Sequence, residues 1–131
     1  MIGIDTNLLV RLITNDDPSQ ARLVAKRLDS DESFFVPLTV SLELEWVLRG
    51  AYGLGVDAIV RGYSSLLAIR NLCFESDAGL IKALEYYQQG FDLADALHLI
   101  CVQHCDLFLS FDKTFSKQAT RLKLSPSVQL L

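Results

Sequence analysis

Long apolar runs are missing from this 131-residue chain. No stretch approaches the roughly 18 uninterrupted apolar residues of a membrane span. Cysteine is scarce and odd in number: Cys73, Cys101 and Cys105 offer no disulfide framework and are expected as reduced thiols. Proline (3) and glycine (7) are too few and too scattered to make a linker, and no repeat or low-complexity tract occurs. Met1-Ile2-Gly3-Ile4 has no basic segment ahead of a long apolar stretch, so no secretory signal is expected and the implied location is cytoplasmic. An excess of base is also absent, since 12 Lys+Arg face 16 Asp+Glu for a net charge of -4. Taken alone, that balance argues against nucleic acid, whose binding is driven by neutralising phosphates with lysine and arginine.

Apolar residues are abundant. They make up 50% of the chain, which excludes disorder. A single domain over residues 1–131 is expected, burying roughly 68% of the unfolded surface without help from disulfides or a structural metal.

Short apolar runs alternate with amphipathic stretches. Residues 1–4 read as a strand ending at Asp5, and residues 6–13 as a short helix. Asp17 and Pro18 suit the cap and first position of a second helix, carried by Ala21, Val24, Ala25 and Leu28. Residues 34–36 read as a strand, 40–50 as a helix broken by Gly53 and Gly55, 56–69 as a helix and 72–74 as a weak strand. Ser76 is the expected cap of a helix reaching Tyr87. Residues 91–104 read as a helix, 107–109 as an apolar strand, 113–123 as a basic helix and 128–130 as an edge strand. Strands alternating with helices indicate a parallel α/β sheet.

In such sheets, ligands bind beyond the carboxyl ends of the strands. Asp5 and Asp112 both follow directly on apolar runs, so they are expected at matching ends of neighbouring strands. Glu43 borders the stripe Val40, Leu44, Val47 and Leu48, whereas Glu45 is offset by about 200°. Glu43 is thus the expected inward acid, with a solvated helix charge as the alternative for either. Asp92 and Asp95 share a face near a helix N-terminus. A cap accounts for Asp92. It accounts less well for Asp95, because Ala94, Ala96, Leu97, Leu99 and Ile100 leave that helix apolar almost all round, and an acid there needs a partner or a cation. Carboxylates converging in one cleft require compensation. Hard oxygen donors suit Mg²⁺ or Mn²⁺, and such a site activates water for phosphoryl chemistry without any histidine.

Four stretches carry these acids: Ile2-Gly3-Ile4-Asp5-Thr6-Asn7, Leu42-Glu43-Leu44-Glu45-Trp46-Val47-Leu48-Arg49, Asp92-Leu93-Ala94-Asp95-Ala96-Leu97-His98 and Ser110-Phe111-Asp112-Lys113. In order and spacing they resemble the acidic motifs of PIN-domain ribonucleases, nearest to the VapC-type toxins of type II toxin–antitoxin pairs. Asn15-Asp16-Asp17-Pro18 is similar to the same group, and the likeness runs from Ile2 to Phe115. The resemblance implies a PIN-like α/β/α sandwich with a short, mainly parallel central sheet flanked by helices. It implies Asp5, Glu43, Asp95 and Asp112 as catalytic, metal-binding acids, with Asp92 as an additional ligand found in part of the family. Thr6, Asn7 and Ser110 match polar positions that orient the acids or a water. Ser110 stands where many relatives carry Thr, and Leu93 where an aromatic is frequent; no acid of the set is missing. The implied activity is a Mg²⁺- or Mn²⁺-dependent endoribonuclease cutting structured RNA of the tRNA or rRNA class, with a cognate antitoxin and a second copy of the chain as partners.

Lys113, Lys117 and Arg121 recur at i, i+4 and i+8, on one helix face. That face is either a phosphate-contacting rim or a solvated surface. Arg11 and Arg49 follow the first two acidic motifs and are further RNA-contact candidates, although Arg49 is equally placed to pair with Glu45. His98, Cys101, His104 and Cys105 read as core positions on an apolar helix rather than a zinc site. Tyr52, Tyr63, Tyr86 and Tyr87 read as core or interface residues rather than base-stacking ones. Two other functions compete. A related nuclease acting on DNA or flap structures would use the same acids. A phospho-accepting receiver module would use Asp16, Asp17, Asp57 and Lys113, but it needs its acceptor at the end of an apolar strand, and Gly53-Leu54-Gly55-Val56 precedes Asp57. Removing the four proposed ligands from the 16 acids leaves a chain balanced against its 12 bases. The acidity then no longer excludes RNA, but predicts that RNA binding needs a divalent ion.

Overall fold

The computed structural model describes residues 1–131, which divide into two units, Met1–Ala78 and Gly79–Leu131. The first is built on three parallel strands, β1 (Ile2–Gly3), β2 (Phe34–Val36) and β3 (Leu72–Phe74), in the order β1-β2-β3. Ile2 pairs with Phe34, and Phe34 with Leu72. Parallel neighbours need crossovers. Here these are helices α1 (Thr6–Thr14) and α2 (Pro18–Leu28), then α3 (Leu38–Gly50) and α4 (Val56–Leu67). Phe34, Val36, Leu72 and Phe74 are buried while Cys73 is exposed, the two-residue alternation of a strand. Leu9, Leu44, Leu48, Ile59 and Tyr63 complete the unit's core.

Local chemistry sets the helix ends. Asp17 caps α2 by accepting from the Gln20 N–H, with Pro18 at the first position, as expected. Asn15 adopts the left-handed conformation (φ 52°) that ends α1, and Gly53 (φ 63°) supplies the turn after α3.

The buried stripe of α3 departs from expectation. It is Ser41, Leu44, Glu45 and Leu48, so Glu45 (6% exposed) is the inward acid and Glu43 is exposed. Tyr63 of α4 selects this rotation: it is fully buried, and its hydroxyl donates to the Ser41 carbonyl. Burial of Glu45 is made tolerable by Arg49, whose Nε donates to it at 2.8 Å. The Ser41 hydroxyl itself is buried without a hydrogen-bond partner. Ser41→Ala is therefore expected to raise stability by about 1 kcal/mol, read as a higher urea midpoint with unchanged slope.

The second unit holds most of α5 (Asp77–Gln88), then α6 (Leu93–Cys101), β4 (Leu107–Ser110), α7 (Lys113–Arg121) and β5 (Ser127–Leu130). β4 and β5 are parallel, with Leu107 opposite Ser127, and α7 is their crossover. Phe115 on α7 anchors an aromatic cluster, edge-on to Phe91 at 5.6 Å and tilted against Phe108 at 5.7 Å. Gly79 lets α5 lie close to α6, since a Cβ there would sit 2.8 Å from Cγ2 of Ile100.

Four expectations are corrected. The expected single sheet is found as two parallel sheets, with β1 hydrogen-bonded to β2 and β4 to β5. Helix α6 begins after a cap at Asp92 and stops at Cys101, shorter than residues 91–104. Cys101 and Cys105 are exposed free thiols rather than core residues, and His98 is exposed, stacking on Phe108. Ser76 sits at φ 54° immediately before α5, outside the extended conformation of a cap. No helix is long and apolar enough to cross a membrane.

Candidate active site

Three of the acids singled out by sequence occupy one kind of position. Asp5, Asp92 and Asp112 have extended backbone and cap α1, α6 and α7. In each case Oδ1 accepts a hydrogen bond from the following turn: Thr6 N–H at 2.8 Å, Asp95 N–H at 3.0 Å and Phe115 N–H at 3.0 Å. These bonds satisfy amides that a helix start leaves without intrahelical partners. They also fix the carboxylate plane while Oδ2 accepts none, so each acid presents one oriented oxygen.

In the first unit, the buried Thr6 (4% exposed) donates from Oγ1 to Oε1 of Glu43. One hydroxyl thereby links the start of α1 to an acid 37 residues away. Asp5, Thr6, Asn7, Arg11, Glu43 and Tyr52 line a cavity of about 370 Å³. Glu43 thus belongs to this cavity from the exposed side of α3, not from the core side that the sequence pattern favoured. Arg49 is held by Glu45, which is the pairing alternative for that residue.

In the second unit, Asp95 follows Asp92 by one helical turn and is half-buried. Its pKa is raised from 3.8 to about 6, first by burial and then by the charges of Asp92 and Asp112, with His98 opposing them. Ser110 Oγ accepts from the Asp112 N–H at 2.9 Å, which fixes the turn carrying that acid. Lys113, Lys117 and Arg121 are all exposed on α7.

Within neither unit do three or more His, Cys, Asp or Glu side chains gather as a ready-made metal cage. The donor chemistry nonetheless fits a hard divalent cation. Every candidate donor is a carboxylate oxygen, and Asp95 is held among like charges that a cation would relieve. Asp57 lies in the first turn of α4 and not at a strand end, which removes the receiver arrangement.

Parallel strands followed by capping carboxylates define an α/β protein whose candidate donors are all hard carboxylate oxygens. The PIN domain model matches residues 2–120, and the chain belongs to the PIN domain family. Members of that family are in general nucleases that use divalent metals, and the seven helices with short parallel sheets agree with its fold. No match was found among curated proteins.

One part of this region was not visible in the sequence as a unit. Arg11 is bonded to Gln20, Asp16 and Tyr52, the last of them 41 residues away. The sequence presents Tyr52 as a core or interface residue. Contacts of that sequence separation leave no local pattern.

Proposed function

We propose that the chain is a Mg²⁺- or Mn²⁺-dependent endoribonuclease whose metal-binding acids are Asp5, Glu43, Asp95 and Asp112, with Asp92 as a further ligand. The observation that carries the proposal is Asp95, a half-buried carboxylate whose charged form is disfavoured by burial and by two neighbouring acids. Natural proteins keep such a conflict where a function needs it. When bound, a divalent ion would lower the pKa of a water molecule and stabilise the charge that develops on the phosphate and the leaving oxygen.

The chain's own residues prepare for that chemistry. Thr6 holds Glu43 in place, and Ser110 secures the turn at Asp112. The capping bonds of Asp5, Asp92 and Asp112 spend one oxygen on the helix and leave the other for the ion. Asn7 lines the cavity beside Asp5 and Glu43, suited to orienting a water there. In-line attack of water on a phosphodiester would leave a 5′-phosphate and a 3′-hydroxyl. Cleavage of matched RNA, single-stranded DNA and flap-DNA oligonucleotides tests the substrate class: RNA cut in preference supports the proposal, and DNA or flap cut in preference overturns it.

The same reading makes the chain the toxin of a toxin–antitoxin pair, acting in the cytoplasm on structured RNA of the tRNA or rRNA class. A cognate antitoxin and a homodimer are its partners. A small neighbouring reading frame for a DNA-binding protein that co-purifies with the chain and silences it would support this role. Lys113, Lys117 and Arg121 are the proposed phosphate rim. Combined charge reversal, Lys117→Glu with Arg121→Glu, is expected to weaken RNA binding about tenfold at low salt with metal affinity unchanged. Equal RNA affinity for wild type and double variant would assign those residues to a plain solvated face.

A further inference from the structure

We infer that Arg11 is the phosphate-binding residue of the cavity in the first unit, and that Asp16, Tyr52 and Gln20 are positioning residues that fix its guanidinium for that contact. The inference rests on the nuclease reading above and deepens it. Arg11 is the one basic residue lining the cavity, which it shares with Asp5, Thr6, Asn7 and Glu43.

Its guanidinium is fixed at two of its three nitrogens. Nε donates to Oε1 of Gln20 at 2.6 Å, and Nη1 donates to Oδ1 of Asp16 at 3.2 Å and to the Tyr52 hydroxyl at 3.3 Å. The Tyr52 hydroxyl in turn donates to Oδ2 of Asp16 at 2.5 Å, closing the ring of contacts. Nη2 takes no part. That bond from Tyr52 also holds the Asp16 carboxyl below its usual range, so its charge persists opposite the guanidinium.

An exposed ion pair alone contributes about 0–1 kcal/mol and needs only one contact. Here three residues, from the turn after α1, from α2 and from the segment after α3, hold one side chain of limited exposure. This arrangement removes the rotational freedom of an arginine before any ligand arrives, and preorganisation of that kind is useful for orienting a reacting group. Asp5 and Glu43 would repel a lone anion from the same cavity. The ligand that reconciles them with Arg11 is an anion that shares the cavity with a cation, namely the phosphate of a phosphodiester. The cavity, about 370 Å³, is near the lower end of the small-ligand range of roughly 300–1,000 Å³, a size for one nucleotide unit.

The test uses the whole chain, a defined RNA oligonucleotide and two readouts. The first is steady-state cleavage with Mn²⁺. Arg11→Gln is expected to lower kcat/KM about 10–100-fold, as loss of a charge-assisted contact does, and Arg11→Lys to fall between it and wild type. Tyr52→Phe and Asp16→Asn should each lower it by roughly 3–10-fold. Combining Tyr52→Phe with Arg11→Gln should cause no further loss, because both act through one group. The Mn²⁺ concentration for half-maximal rate should not move, and circular dichroism reports that each variant folds. The second readout is the salt dependence of RNA binding in Ca²⁺, whose slope should shrink by about 0.7 in Arg11→Gln. An unchanged slope, or losses that multiply in the Tyr52→Phe/Arg11→Gln double variant, overturns the inference. A slope that shrinks in Arg11→Gln while the wild type itself cleaves no RNA leaves the phosphate contact standing and overturns the nuclease reading instead.

Discussion

Asp95→Asn is expected to lower metal-dependent cleavage by on the order of a hundredfold or more, the scale of losing a charge that acts at the transition state. The same change is expected to make the metal-free protein more stable at neutral pH. The two effects have one origin. The Asp95 carboxyl is raised above its ordinary 3.8 to about 6, first by burial and then by Asp92 and Asp112. Between those pH values the folded, metal-free protein holds a proton that the unfolded chain has released. Stability therefore rises as pH falls through that window, and the penalty for an ionised Asp95 is fully present above about pH 6. Asparagine removes the charge and hence the penalty. Asp95 is half-buried, so solvent screens part of the effect and the gain at pH 7.5 is about 1 kcal/mol. Urea midpoints in EDTA at pH 4.5 and 7.5 test this directly: wild type should shift between the two, and the variant should shift less. Divalent binding has the opposite pH dependence, because the proton must leave, so cleavage should rise with pH through about 6. A variant that is both inactive and less stable at pH 7.5 would make Asp95 a structural residue.

Asp5→Asn and Asp112→Asn are expected to lose activity to a similar extent, roughly 10²–10³-fold, without loss of stability. Each acid caps a helix through Oδ1, and asparagine caps about as well as aspartate. The substitution therefore preserves the local hydrogen bond and removes only the negative charge. Asp112→Ala, by contrast, should forfeit the cap and cost about 1 kcal/mol in addition. Paired measurements of cleavage and urea midpoint separate the two roles. Activity surviving in Asp112→Asn but not in Asp112→Ala would reduce Asp112 to a helix cap. Asp92→Asn should lie between these cases, because the cap is the better-defined of its two roles.

Much of this arrangement was legible in the sequence where the signal is local. The strands at residues 34–36 and 72–74 were read at their observed bounds, because short apolar runs between breakers admit few alternatives. The caps at Asp17 and Asp92 follow from an acid placed just before a helical pattern. What failed to show depends on contacts distant in sequence. Successive helix residues differ by about 100°, so the choice between Glu43 and Glu45 was decided by where Tyr63 meets α3, 22 residues beyond Ser41. Leu107 and Leu109 belong to the apolar run read as a strand, yet 42% and 52% of their surface is exposed. An apolar run fixes a strand but not how much of it is covered. The grip on Arg11 is closed by Tyr52, 41 positions from Arg11 and 36 from Asp16, a separation with no sequence period.

The central claim is that this acid set performs divalent-dependent cleavage of RNA. Its most direct test is end-mapped sequencing of total RNA incubated with the purified wild type in Mg²⁺ or Mn²⁺, in excess EDTA, and with Asp5→Asn in the same metals. Discrete cuts bearing 5′-phosphates are predicted for the wild type with metal alone. The same cuts appearing in EDTA, or persisting at full yield in Asp5→Asn, would contradict it.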